Sequence, residues 1–64
     1  MGRQISFPNL VAKLFDIPRP QAQRAIELGA VQHNNTPVTT LKVDKDLVAG
    51  SDITYDGETK QAPQ

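Results

Sequence analysis

The sequence has no cysteine and no tryptophan, a single tyrosine, and no excess of either charge. Without cysteine there is no disulfide scaffold, no thiolate zinc site and no thiol nucleophile. His33 is the only histidine, which leaves too few ligands for a structural zinc site. Seven Lys+Arg against seven Asp+Glu argue against a protein that holds nucleic acid by bulk charge, as a basic tail does. No apolar run approaches the ~18 residues of a membrane span. No basic segment leads into an apolar one as in a secretory leader, so the expectation is a cytoplasmic chain without a membrane partner.

Catalytic equipment is missing too. Asp44, Asp46, Asp52 and Asp56 fall in segments read as loops, with no partnered histidine or nucleophile. Asp44-x-Asp46 lacks the remainder of a calcium loop. There is no glycine-rich phosphate loop, and a substrate pocket would consume most of so small a core. The expectation is a non-enzymatic protein with no metal, no cofactor and no small-molecule substrate. Two short patterns are set aside as chance. Met1 to Ser6 fits a myristoylation pattern, and Asn34-Asn35-Thr36 fits a glycosylation acceptor, each without supporting context.

What is present suits one small domain. The 64 residues amount to 7.0 kDa, and 38% of them are apolar. A chain of this length buries only ~60% of the surface its unfolded form exposes. The neutral total hides a gradient. Met1 to Gly29 carries four cations and two anions, a net +2, and Ala30 to Gln64 carries three and five, a net −2.

Met1 to Ile5 has no period and is read as a flexible N-terminus, 1–5. Ser6 is placed to cap a helix that opens with Phe7 and Pro8. Phe7, Leu10, Val11, Leu14 and Phe15 follow the i, i+3, i+4, i+7 spacing of one apolar stripe. Pro18 should stop that helix by steering the residue before it out of helical geometry. A second helix is expected from near Pro20 to Leu28, burying Ala22, Ala25 and Ile26, with Gly29 in the left-handed position beyond its end. After Gly29 the period changes to two. Val31 and His33 share a face, Asn34-Asn35 is a turn pair, and Thr36 to Leu41 reads as the return strand. Val43 and Leu47-Val48 are apolar anchors in a loop region. Gly50-Ser51-Asp52 turns into a last strand, Ile53-Thr54-Tyr55. Residues 56–64 read as a polar, disordered tail, with a hairpin at Asp56-Gly57 as the alternative. The expected fold class is α+β: two short packed helices, a helix-turn-helix, followed by a small antiparallel sheet. Leu10, Leu14, Phe15, Ile26, Val31, Val38 and Ile53 are its expected core.

In the run Pro18 to Val38, Arg19, Ala22, Arg24, Ile26, Gly29, Val31, Asn34 and Val38 keep a fixed spacing. That run resembles the signature of the alpha-L RNA-binding domain, the family named after ribosomal protein S-four. Leu10, Ala12, Leu14 and Ile17 are similar to its first helix and turn. Gly50, Asp52 and Ile53 are similar to its closing strand, with Ser51 as an insertion. The likeness covers Phe7 to Tyr55 and implies a free-standing alpha-L domain over residues 6–55. Most of the matched residues are fold requirements, so the likeness bears on architecture before activity. Pro18, Gln23, Glu27, His33 and Asn35 depart from the pattern, and Gln23 and Glu27 thin its basic surface.

The resemblance implies structured RNA as partner, with Arg19 and Arg24 facing the phosphate backbone together. Lys13 on the first helix and Arg3 at the N-terminus would extend the patch. Gln23 and Asn34 complete the candidate RNA-binding residues, Asn34 beside Gln32 and Thr36 at the hairpin. Against this stand ordinary roles: Arg24 paired with Glu27 one turn away, Asn34 serving the turn, and His33 as a half-buried strand residue. An aromatic platform for bases is poorly supplied, with Phe7 and Phe15 needed in the core. The alternative is a protein partner, met through the acidic sheet or through exposed Leu28 and Leu47. A DNA-binding winged helix-turn-helix comes third, because Gln21, Gln23 and Arg24 are a thin recognition set.

Overall fold

The computed structural model describes residues 3–63. Over these the chain is a small α+β domain with three helices and two antiparallel sheets. In chain order the elements are β1 (Gln4–Ser6), α1 (Phe7–Phe15), α2 (Arg19–Glu27), β2 (Val31–His33), β3 (Thr36–Pro37), β4 (Lys42–Asp44), α3 (Lys45–Val48), β5 (Asp52–Tyr55) and β6 (Glu58–Gln61). One sheet is the ribbon β1-β4, and the other runs β3-β2-β5-β6.

The stripe of α1 faces inward: Phe7 and Val11 are fully buried, while Leu10, Leu14 and Phe15 pack against them half-exposed. Ser6 is the N-cap by position, but its hydroxyl makes no cap bond. The first helical amide is satisfied from afar instead, with Phe7 N–H donating to the Leu41 carbonyl at 2.9 Å. The helix also stops before Pro18 acts. Asp16 is its C-cap in the left-handed region at φ 55°, and the Ile17 amide donates to the Ala12 carbonyl at 3.0 Å. Helix α2 opens on Arg19 and Pro20 with no side-chain cap, and Ala22, Ala25 and Ile26 are its buried face. It closes as the sequence predicts. Gly29 sits at φ +74°, its amide donates to Ile26, and the Ala30 amide donates to Ala25, a Schellman ending.

Strand β2 buries Val31 and leaves Gln32 and His33 half-buried alike, and Asn34 and Asn35 turn it with φ of 49° and 69°, the paired positive values of a tight hairpin. The return strand is shorter than expected. Only Thr36 and Pro37 pair with β2. Pro37 has no amide to donate, which suits an edge. After the Val38 amide closes onto Val31 at 3.0 Å the chain crosses to the other sheet. There Val43 pairs with Ile5, so residues 3–5 of the supposed loose N-terminus include a paired strand. The expectation at Met1 and Gly2, with the myristoylation pattern that begins on them, lies outside the described residues. Leu47-Val48, read as loop, belongs to α3. Its N-cap Asp44 accepts from the Asp46 amide at 2.9 Å.

The disordered-tail expectation is corrected within the described residues. Asp56 and Gly57 turn at φ 52° and 78°, and Glu58–Gln61 returns along β5 from Tyr55↔Glu58 to Asp52↔Gln61. All four residues of β6 are exposed, so the strand carries no apolar alternation to read. It is anchored beyond its end by buried Ala62, whose amide donates to Ser51 at 2.8 Å and whose carbonyl accepts from Gly50 at 3.1 Å. Gln64 lies outside the described residues. The continuous core is Phe7, Val11, Ala22, Ala25, Ile26, Val31, Ile53 and Ala62. It keeps Ile26, Val31 and Ile53 from the expected set and moves Leu10, Leu14, Phe15 and Val38 to its partly buried margin.

Candidate nucleic-acid interface

Helix α2 presents two polar flanks on either side of Ala22, Ala25 and Ile26. Five helical steps lead from Arg19 to Arg24, a rotation of about 140° and a rise of about 7.5 Å. They therefore do not form the single forked edge expected of them. On one flank the Arg19 Nε donates to the Asn9 Oδ1 at 2.6 Å, bridging the first turns of the two helices. Gln23 lies one turn further along this flank and is half-buried. Asn9 is uncharged, so the bond aims the Arg19 guanidinium without neutralising it, and the terminal nitrogens keep their donors.

On the other flank Arg24 lines an open groove of about 360 Å³ between α2 and the turn after β5. Gln21, Ala25 and Leu28 line it from the helix side, and Tyr55 and Asp56 line it from the sheet side. The Gln21 Nε2 donates to the Tyr55 hydroxyl at 3.1 Å, and Phe15 meets the Tyr55 ring edge-to-face at 5.5 Å between centroids. Phe15 is thus shared between core margin and ring support, and Lys60 stands over it at 5.5 Å. Among the described residues the one ion pair is Lys60–Glu58 at 3.8 Å. The Arg24–Glu27 pairing offered as the ordinary role is not formed.

The remaining candidates scatter. Lys13 is exposed on α1, beside Leu10, Leu14 and Pro63. The Arg3 carbonyl accepts the Lys45 amide at 2.7 Å, which ties that residue to the start of α3 and not to α2. Asn34 has a structural role: its Oδ1 accepts the Asp52 amide at 3.1 Å, while its own amide donates to the Asp52 carbonyl at 2.9 Å. The β2–β5 ladder thereby gains one further rung, with a side-chain oxygen standing in for a backbone one. His33 is half-buried, its Nε2 3.2 Å from the Leu47 carbonyl, and so braces the end of α3. No group of three His, Asp or Glu able to hold a metal occurs among the described residues, and no helix there is long and apolar enough to cross a membrane.

Asn9 was missed by sequence reasoning, because its bond to Arg19 spans ten positions and two helices and no local spacing rule reaches it. Gln21 and Tyr55 become partners only when the sheet folds back on α2. Compared with family models, with curated proteins and with solved structures, the chain finds no match.

Proposed function

We propose that this chain is a non-enzymatic binding module of the alpha-L type that docks structured RNA with the two flanks of α2. The carrying observation is the state of its arginines. Arg19 is exposed and oriented by a neutral amide, and Arg24 is exposed and outside any ion pair among the described residues. Arginines held this way keep their charge for phosphate, which they grip as planar forks. A surface pair with a carboxylate would have used that charge internally. The order of two crossing helices, hairpin and closing strand agrees with the alpha-L likeness and supports the same reading.

The contact is modest by design. Arg19, Arg24 and Lys13 are spread around the helix pair, and a neutral chain adds little long-range attraction. For three released counterions the affinity should fall roughly 40-fold or less between about 50 and 200 mM salt. The test is binding to a structured RNA hairpin and to duplex DNA at two salt concentrations. Salt-sensitive binding that favours RNA supports the proposal, and equal or stronger binding to DNA points to a groove reader instead. Leu28 and Leu47, 74% and 68% exposed, favour a protein partner as the second reading. Absence of binding to either nucleic acid at low salt, with a partner whose capture Leu28→Ser abolishes, would replace the first reading by the second.

A further inference from the structure

The groove between α2 and the β5–β6 turn holds opposite charges that do not cancel. Arg24 stands on the helix side and Asp56 on the turn side, and among the described residues they form no ion pair. Between them lie the apolar surfaces of Ala25 and Leu28 and the Tyr55 ring. Among the described residues nothing covers Leu28, which is exposed. The ring is fixed before any ligand arrives, by Gln21 at its hydroxyl and Phe15 against it, which lowers the ordering cost of binding.

This donor set selects a ligand. A run of phosphates would meet repulsion at Asp56, and so would an acidic peptide. A nucleotide carries its anion at one end and a flat, donor-bearing ring at the other. The apolar wall and aromatic ring suit the face of a base. Among the four bases only guanine offers a carboxylate two adjacent N–H donors on one edge, at N1 and N2. The volume of about 360 Å³ falls in the ~300–1,000 Å³ range of small-ligand sites, and the open side lets the rest of a strand leave. We propose that this groove takes an unpaired guanine nucleotide of the docked RNA, its phosphate on Arg24 and its base edge on Asp56. The inference rests on the RNA reading above and adds the feature of the RNA that is recognised.

The experiment measures fluorescence anisotropy of three labelled RNA hairpins: one with a single bulged guanine, one with a bulged adenine at the same place, and one fully paired. The wild-type chain should prefer the bulged guanine by about tenfold. Asp56→Asn should erase that preference, while any gain from losing the carboxylate's repulsion of phosphate should be shared by all three hairpins. The variant suits the site, because Asn accepts the positive φ of this turn, and its thermal melt reports whether the hairpin is intact. Equal affinity of the wild type for all three hairpins overturns the guanine site and leaves RNA docking standing. A guanine preference that survives in Asp56→Asn overturns the role given to the carboxylate. Binding to none of the three overturns both the site and the reading on which it rests.

Discussion

Between Phe7 and Ala30 the ties that shape the chain are mostly local: i to i+4 helix bonds, an apolar stripe, and a Schellman ending within six residues. From Val31 onward the β2–β3 and β5–β6 hairpins and helix α3 are local, but the ties that join them into a fold are between separate segments. β2 waits for β5, β4 for β1, and Ala62 for Ser51. The two halves share one core but are specified differently, and they meet at the groove where α2 faces the β5 turn. Local ties make the helix pair a firm platform for Arg19. The distant ladders of the sheet half are only three residue pairs long, so single substitutions there should be felt in proportion to the bond removed.

The largest effect should come from the shared core. A domain of this size has about 3–10 kcal/mol of stability in all, and Ile26→Ala should remove about 2–5 kcal/mol. Thermal melting should then find the variant largely unfolded or close to it. A near-native melting temperature would mean that α2 is not the common wall of the two halves. Next is Asn34→Ala, which loses both the left-handed tolerance and the acceptor for the Asp52 amide, about 1–2 kcal/mol. Asn34→Gly keeps the first and loses the second, so denaturant midpoints should order wild type, Gly, Ala. A Gly variant at or above wild type would show that backbone relief outweighs the Asp52 bond, and an Ala variant equal to Gly that the left-handed turn sets no preference. Asp44→Ala removes the cap of α3 and should cost about 1 kcal/mol, with helix α1 unaffected in amide exchange.

That contrast also explains what could be read from the residues alone. Helix α1, helix α2, Gly29 and the Asn34-Asn35 turn follow from spacing and from φ requirements, and all were legible. Strands β1 and β4 were not, because a three-residue strand has no period and its partner lies some forty positions away. Strand β6 was hidden by its exposure: with both faces wet it reads as a tail, and only the Asp56-Gly57 pair hinted at a return. The site followed the same rule. Arg19 and Arg24 stood out as cations on a helix, but their separation around α2 needed the helical period applied between them. Asn9 and Tyr55 acquire their parts only from tertiary contact.

The smallest change in stability should accompany the largest change in binding. Arg19→Ala leaves the core untouched and should shift stability by no more than about 0.5 kcal/mol. The most direct test of RNA docking through α2 is therefore the salt dependence of RNA affinity, measured for wild type and Arg19→Ala over the same concentrations. The expected result is weaker binding by the variant and a log–log slope lowered by about one counterion. Superimposable slopes and affinities would contradict the assignment of Arg19 to phosphate, and with it the docking surface proposed here.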